Sequence, residues 1–399
     1  MGLTRRRFLE VGSLSLLAGA LGRPGLGQAS MRGAPLLVVV FLRGGADGLH
    51  LVPPVGDGDY ARVRGKLALA ETLPFVTGFG LHPELAPLAP LVRRGELAVV
   101  HAAGSPHPTR SHFEAQDFME AGAPGITRLR DGWLARALGG VGEDPFASLA
   151  VAPQLPLTLR GSGSFACSDV DSFGIPGAGG RAREALAQLY AEGDGDPVAA
   201  AGRRALAALA ELERRVGTRG GARRLRRPTP SGARIEASVG ELLRLERAGL
   251  GLEAVFFESG GWDTHMRQGA EEGQMAGWIG DLARGIAQLF AELGERRELR
   301  LVVMTEFGRT VRPNGSDGTD HGHGSVMLVA GHGVRGGVHD DWAGLREAAL
   351  HEGRDLPVRT DWRTVLHEVL VTHLGAPPPA NTFPGFTPGS LGLFEARSA

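Results

Sequence analysis

The chain has 399 residues, and its 43 basic and 44 acidic side chains leave a formal net charge of −1. This balance excludes the strong attraction to nucleic acid or to anionic membrane surfaces that a basic chain would have, so no nucleic-acid partner is expected. Cys167 is the only cysteine, which excludes an intramolecular disulfide. The sequence leaves the oligomeric state open.

The amino-terminal segment, residues 1–29, has the order of a twin-arginine export signal. Residues Thr4-Arg5-Arg6-Arg7-Phe8-Leu9 precede an apolar segment, Val11 to Leu21, and small residues around Ala29. The apolar segment is shorter than a membrane-spanning helix requires, so we expect no stable membrane insertion after cleavage. The twin-arginine route carries folded proteins, which suits a chain that must first load a cofactor. We predict a periplasmic or extracellular protein in which residues 30–399 form the mature domain.

Apolar runs that alternate with helical patterns predict an α/β fold with a mostly parallel sheet and helices on both faces. Buried strands are predicted at 35–42, 97–101, 149–152, 253–258, 301–304 and 326–330. Helices are predicted at 83–94, 111–121, 131–138, 181–212, 235–248, 275–293 and 361–374.

Two segments between these elements need separate treatment. The glycine-, serine- and aspartate-rich segment 165–181 is predicted to be irregular. The helices between about residues 180 and 250 would form a helical insertion over the sheet. Within it, the arginine-rich segment 217–230 is either a solvated loop or a patch for an anionic partner.

Residues of the types that bind metals follow four of the predicted strands. They are Asp47, several side chains within 101–112, the pair in 263–265, and a set within 306–323. Because ligands in open α/β sheets bind beyond the carboxyl ends of the strands, we expect these four places to converge on one edge. Carboxylates with imidazoles suit Zn²⁺ or Mn²⁺, whereas all-oxygen sites suit Mg²⁺ or Ca²⁺. One or two divalent metals are therefore expected, with Zn²⁺ or Mn²⁺ favoured.

Each of these places also has a purely structural interpretation. Asp47 could bond its own backbone in a glycine-rich turn, and Asp320 is more readily explained as a turn residue than as a ligand. The segment Ser111-His112-Phe113-Glu114 has the pattern of a capping box. Asp263 and His265 face the same way only if their segment is extended.

Several segments together carry a resemblance to a known family. They are the export signal, FLRGGADGLHLVPP, RSHFEAQDFMEAG, GGWDTH, MTEFGRT and DHGHGSVMLVAGHGVRGG. With these segments the chain resembles the bacterial exported family catalogued as domain of unknown function 1501. That family is in turn similar to the alkaline-phosphatase superfamily, which includes sulfatases and cofactor-independent phosphoglycerate mutases. The resemblance implies an alkaline-phosphatase-like core and metal-dependent hydrolysis of phosphate or sulfate esters.

The resemblance also implies metal ligands, from the order of residues along the chain. One metal site would consist of Asp263, His265 and His323, with His321 as the rival of His323. A second metal site would contain Asp47 and Glu306, and Ser111 is a further candidate for it. Phe307 stands where the superfamily has a histidine, so a single-metal or degenerate site remains open.

The remaining predicted site residues concern the substrate, a small anionic ester. Ser111 would be the nucleophile, or a water activated by the metal would attack instead. Arg110, His112 and Arg309 would bind the substrate anion, since arginine makes bidentate contacts with phosphate and sulfate oxygens. Arg309 could instead pair with a carboxylate. The alternative function is a non-catalytic binding or assembly protein of the cell envelope on a degenerate phosphatase-like fold.

Overall fold

A computed structural model describes residues 33–140, 146–170, 180–191, 196–216, 234–339 and 341–395. The predicted export signal at 1–29 and the arginine-rich segment at 217–230 lie outside these described residues. The described residues from Ala34 onward belong to one compact unit.

The strands form one large sheet and one small hairpin. They are β1 Gly33–Leu42, β2 Leu73–Val76, β3 Phe79–Leu81, β4 Leu97–Gly104, β5 Ser148–Val151, β6 Phe165–Ala166, β7 Ala254–Ser259, β8 Arg297–Thr305, β9 Ser325–Gly331, β10 Gly337–Val338 and β11 Thr360–Asp361. The large sheet has the order β10-β4-β9-β8-β1-β7-β5-β6, with β11 beside β4, and β2 pairs with β3 separately. The six predicted strands are all present. The short edge strand β6 lies in a segment that was expected to be irregular.

The sheet is mixed but mostly parallel, as predicted. β1 pairs in parallel with β7, β7 with β5, and β5 with β6, while β10 and β11 are both parallel to β4. β9 runs antiparallel to both of its neighbours, β4 and β8. Because β9 is reversed, its amino end lies at the edge where β4 and β8 have their carboxyl ends.

The described helices include all the predicted positions, with two changes, and add two short helices, α1 and α2, that were not predicted. They are α1 Gly48–Leu51, α2 Tyr60–Arg64, α3 Ala89–Arg93, α4 His112–Ala121, α5 Trp133–Ala137, α6 Gly180–Ala191, α7 Pro197–Val216, α8 Ile235–Arg247, α9 Gln274–Leu293 and α10 Trp362–Leu374. The helix predicted at 83–94 begins as a 3₁₀ helix, Pro83–Leu88, because Pro87 lacks the N–H that an α-helix would use to bond back to residue 83. The helix predicted at 181–212 is two helices, and Pro197 begins the second. None of the helices in the described ranges has both the length and the apolar character needed to cross a membrane.

The core lies on both faces of the sheet. Along β1, Leu36 and Val38 pack into one hydrophobic cluster, whereas Leu37 and Val39 pack into another. Helices α8 and α9 cover the first face, and α5 and α10 cover the second. Burial on both faces explains why the strand is a continuous apolar run, since neither set of alternating side chains meets water.

Candidate metal centre

The carboxyl edge of the sheet brings together side chains from distant parts of the chain. Asp263 and His265 follow β7, Glu306 follows β8, and His112 begins α4, which follows β4. His321 precedes β9, whose reversed direction brings its amino end to the same edge. The predicted convergence of these segments on one edge is therefore present.

Three imidazoles and one carboxylate meet at this edge, and we call His112, Asp263, His265 and His321 the histidine cluster. The Nε2 atom of His321 lies 3.0 Å from Nε2 of His112 and 2.9 Å from Nε2 of His265. Oδ1 of Asp263 is 3.0 Å from Nε2 of His265 and 3.3 Å from Nε2 of His321, and Oδ2 is 3.5 Å from Nε2 of His112. The four side chains are between 22% and 41% exposed, so solvent reaches the cluster.

Glu306 determines which nitrogen of His112 carries a proton. Its buried Oε1 accepts hydrogen bonds from the backbone N–H of Gly44 and from Nε2 of Gln116, both at 2.8 Å. Arg43 can only donate, and it donates to the amide oxygen of Gln116, which turns the amide NH₂ toward Glu306. Burial raises the pKa of Glu306, but the hydrogen bonds from His112 and Gln116 outweigh it and the net pKa is lowered. Nδ1 of His112, 2.8 Å from the same ionised oxygen, is therefore a donor, and its Nε2 holds a lone pair.

The other two rings are held in the same way. Nδ1 of His321 lies 2.8 Å from the carbonyl oxygen of Arg110, which can only accept. Nδ1 of His265 lies 2.9 Å from Oδ1 of Asp320. Asn314 also donates to that oxygen at 2.9 Å, because its own Oδ1 accepts from two backbone N–H groups of the loop. The hydrogen bonds from Asn314 and His265 lower the pKa of Asp320, so it too accepts, and both rings carry their proton on Nδ1.

The centre of the histidine cluster thus contains only acceptors when the three rings are neutral. Three Nε2 lone pairs and the carboxylate of Asp263 lie within 2.9–3.5 Å of their neighbours, an arrangement that a bound cation would stabilise. Ligand histidines in metal proteins almost always donate their other N–H to a carboxylate or a carbonyl, and all three rings do so. The ligand atoms of His112, Asp263 and His321 all lie within 4.8 Å of one another, and this group could hold a metal ion. The residues present fit such an ion.

A proton can take the place of the metal ion, and His112 is the ring that receives it. Burial lowers the pKa of His112, but the hydrogen bond and charge of Glu306, together with the charge of Asp263, outweigh it and the net pKa is raised. Burial lowers the pKa of His321, and the nearby His112 and Arg309 lower it further. Protonated His112 can then donate from Nε2 to the lone pair of His321.

Arg309 pairs with the cluster carboxylate, which is one of the two roles that the sequence allows for it. Its buried Nη1 donates to Oδ1 of Asp263 at 2.7 Å and to the carbonyl oxygen of Gly44 at 3.3 Å. Its Nε donates to the hydroxyl of Thr319 at 3.2 Å. Burial raises the pKa of Asp263, but the hydrogen bond and charge of Arg309 outweigh it, so the net pKa is lowered. Arg309 therefore keeps the carboxylate ionised and oriented.

Asp47 and His323, two of the predicted metal ligands, lie outside the histidine cluster. Asp47 is buried and accepts hydrogen bonds from Nη2 of Arg64 and Nε2 of Gln268. A protein cation thus balances its charge. The ring of His323 stacks on that of His351 with the centroids 4.5 Å apart, and burial, with the nearby His351, lowers its pKa to about 4.

The start of α4 differs from the predicted capping box. Ser111 is the exposed N-cap residue, but its side chain makes no capping hydrogen bond. The capping box is therefore wrong, because Glu114 is engaged by the hydroxyl of Thr109 at 2.7 Å, and the same hydroxyl accepts from the backbone N–H of Ser111 at 3.2 Å. Ser111 lies in the chain between Arg110 and His112, each of which contacts the cluster.

Sequence reasoning assigned His112 to the substrate and ranked His321 behind His323. The one signal for His112 in the sequence was its place in a segment that follows a predicted strand, as the other ligand segments do. It also lies at the start of a predicted helix. Phe307, which replaces the expected histidine, packs against both rings, with centroids 4.7 Å from His112 and 5.1 Å from His321. It thus supports the two rings that sequence reasoning did not assign as first-choice ligands.

A comparison with known protein families gives a match that contains the histidine cluster. A family model described as "Protein of unknown function (DUF1501)" matches residues 100–374. The matched range contains the four residues of the histidine cluster as well as Glu306, Arg309 and Asp320. No curated protein matches the chain.

Proposed function

The chain belongs to the DUF1501 family of proteins of unknown function, and from its site we propose that it is a metal-dependent hydrolase of phosphate or sulfate esters. The observation that carries the proposal is the convergence of three Nε2 lone pairs on the carboxylate of Asp263, with every Nδ1 engaged by an acceptor. Imidazole nitrogens with one carboxylate favour Zn²⁺ or Mn²⁺ over Mg²⁺ or Ca²⁺.

We assign one metal ion to the histidine cluster, with His112, Asp263, His265 and His321 as its ligands. A second metal at Asp47 and Glu306 is less well supported. Asp47 is already paired with Arg64, and Oε1 of Glu306 already receives three hydrogen bonds. The alkaline-phosphatase-like core remains part of this proposal, with a single metal in place of two.

The chemistry requires a Lewis acid and a nucleophile beside an anionic ester. A bound divalent metal supplies the first, and it lowers the pKa of bound water toward about 7. Two residues of the chain orient the metal ligands: Glu306 accepts from Nδ1 of His112, and Arg309 donates to the carboxylate of Asp263. Ser111 is exposed beside His112 and is the proposed nucleophile, with metal-activated water as the alternative.

Among the predicted anion-binding residues, Arg110 has a guanidinium that is 33% exposed and outside the cluster. Its Nη2 is paired with Glu352 and Asp355, so we assign the ester anion to its remaining Nη1.

A matched pair of histidines tests the metal centre. His321→Ala and His323→Ala remove the same side chain two positions apart, and only His321 belongs to the cluster. In protein purified without chelator, elemental analysis should find one equivalent of Zn or Mn in the wild type and in His323→Ala, and none in folded His321→Ala. Metal loss in His323→Ala with retention in His321→Ala would reverse the assignment.

Hydrolysis of an aryl phosphate and an aryl sulfate tests the reaction. The proposal expects turnover of one of them by the wild type and loss of turnover in His321→Ala. Ser111→Ala then separates the two nucleophiles, because activity is lost if the serine attacks and retained if water attacks. The predicted location outside the cytoplasm is tested by fractionating cells that express the full chain.

The second candidate function is a non-catalytic metal-binding protein of the cell envelope. The observation that favours it is the number of ligands, since four protein side chains can complete a tetrahedral shell, as in structural zinc sites. Bound metal without turnover of either ester, together with a large loss of thermal stability on metal removal, would favour this candidate.

A further inference from the structure

A buried carboxylate outside the histidine cluster binds two arginines at once. Asp355 is 0% exposed and lies in the loop after the 3₁₀ helix Glu347–Ala349. Its Oδ2 accepts a hydrogen bond from Nη2 of Arg110 at 2.8 Å. Arg354 donates to both of its oxygens, from Nε at 2.9 Å and from Nη2 at 3.0 Å. A bidentate contact of this kind holds both groups in one geometry.

Each of these arginines also contacts His321. The carbonyl oxygen of Arg110 accepts from Nδ1 of His321 at 2.8 Å, and Nη2 of Arg354 donates to the carbonyl oxygen of His321 at 2.9 Å. One contact therefore holds the ring and the other holds the backbone of the same residue. Asp355 connects the two contacts, although it does not belong to the cluster.

We propose that Asp355 is a positioning residue for the metal centre. Through Arg110 and Arg354 it sets the orientation of His321 and with it the affinity for the metal. This inference rests on the proposed function, because it takes His321 to be a ligand. Without the negative charge, two guanidinium groups that share one carboxylate oxygen would repel each other and move apart. Partners that orient ligands in this way typically change metal affinity by about 10–100-fold.

Glu352 provides a matched control for Asp355. It accepts from the same Nη2 of Arg110, at 2.6 Å, so both variants remove a carboxylate from the same guanidinium. Its side chain is 59% exposed, and solvent therefore screens its ion pair. Glu352→Gln should leave the position of His321 unchanged.

The experiment compares metal binding in Asp355→Asn, Glu352→Gln and the wild type, all checked for folding by circular dichroism. Zn²⁺ affinity is measured by competition with a chromophoric chelator, and the ligand geometry is followed by the visible spectrum of the Co²⁺-loaded protein. We expect Asp355→Asn to weaken Zn²⁺ binding by about 10–100-fold and to shift the Co²⁺ bands. Glu352→Gln should change the affinity by less than about twofold.

Wild-type affinity and spectrum in folded Asp355→Asn would overturn the inference. If Asp355→Asn does not fold, Arg354→Lys decides, because lysine keeps the charge but loses the bidentate contact. Weaker Zn²⁺ binding and a shifted Co²⁺ spectrum are then expected, and wild-type values would overturn the inference. A wild-type protein that binds neither Zn²⁺ nor Co²⁺ would instead refute the proposed function.

Discussion

Replacing Glu306 with glutamine tests whether the charge of this buried carboxylate strengthens the metal centre. The amide oxygen can still accept from the backbone N–H of Gly44, from Gln116 and from His112, so the shape of the site is preserved and the charge is lost. A metal-bound imidazole is a stronger N–H donor than a free one, and its hydrogen bond to a carboxylate therefore strengthens on binding. Hydrogen bonds to charged groups contribute about 1.5–3 kcal/mol, against about 0.5–1.5 kcal/mol for neutral pairs. The difference of about 1–1.5 kcal/mol predicts a loss of metal affinity of about 5- to 12-fold.

The assay is a chelator competition at alkaline pH, where protons compete least with the metal for His112. Glu258→Gln is the matched control, because Glu258 also lies at the end of a strand on this edge but accepts from Nε of Arg43 at 2.8 Å. It should bind metal as the wild type does. Equal affinity of Glu306→Gln and the wild type, or an equal loss in Glu258→Gln, would refute the reasoning.

The pH dependence of the same variant provides a second check. In the wild type the pKa of His112 is raised, since Glu306 outweighs the effect of burial, and metal binding must displace that proton. Affinity therefore falls as the pH drops through the raised pKa. In Glu306→Gln the pKa of His112 is lower, so the fall begins at a lower pH. The affinities of the two proteins should converge toward acid pH, and a constant ratio would contradict this account.

Two further predictions concern stability. Asp47→Asn leaves the fully buried Arg64 without its anionic partner. The variant should therefore lose about 3–5 kcal/mol of the free energy of unfolding in urea, while the folded protein keeps its metal. Loss of metal without loss of stability would instead make Asp47 a metal ligand. His50 and His101 have pKa values lowered from 6.5 to about 4, mainly by burial, so the unfolded chain binds more protons than the folded one between these pH values. The free energy of unfolding should therefore fall from pH 6.5 to pH 4, by up to about 1.4 kcal/mol per pH unit for each histidine. His101→Phe should reduce that slope, and an unchanged slope would show that His101 does not contribute.

The sequence alone determined most of the secondary structure, because these signals are local. A strand buried on both faces is an unbroken apolar run, and β1 and β8 were predicted within a few residues. The last helix was recognised by its N-cap residue, Asp361, whose carboxylate accepts from the backbone N–H of Arg363 at 2.9 Å. Where local chemistry changed, as at Pro87 and Pro197, the predicted helices were modified.

Only the tertiary structure decided which of the polar residues at the sheet edge meet. Asp47 and Asp263 both follow a strand and two glycines, yet Asp47 pairs with Arg64 and with Gln268, a residue 221 positions away. His321 pairs with Arg309 in a β-bridge beside the cluster, whereas His323, two residues later, stacks on His351. The reason is physical. Local sequence sets the backbone and the edge at which a side chain emerges. The charges and lone pairs that surround it come from other segments, which for Asp47 lie between 17 and 221 residues away.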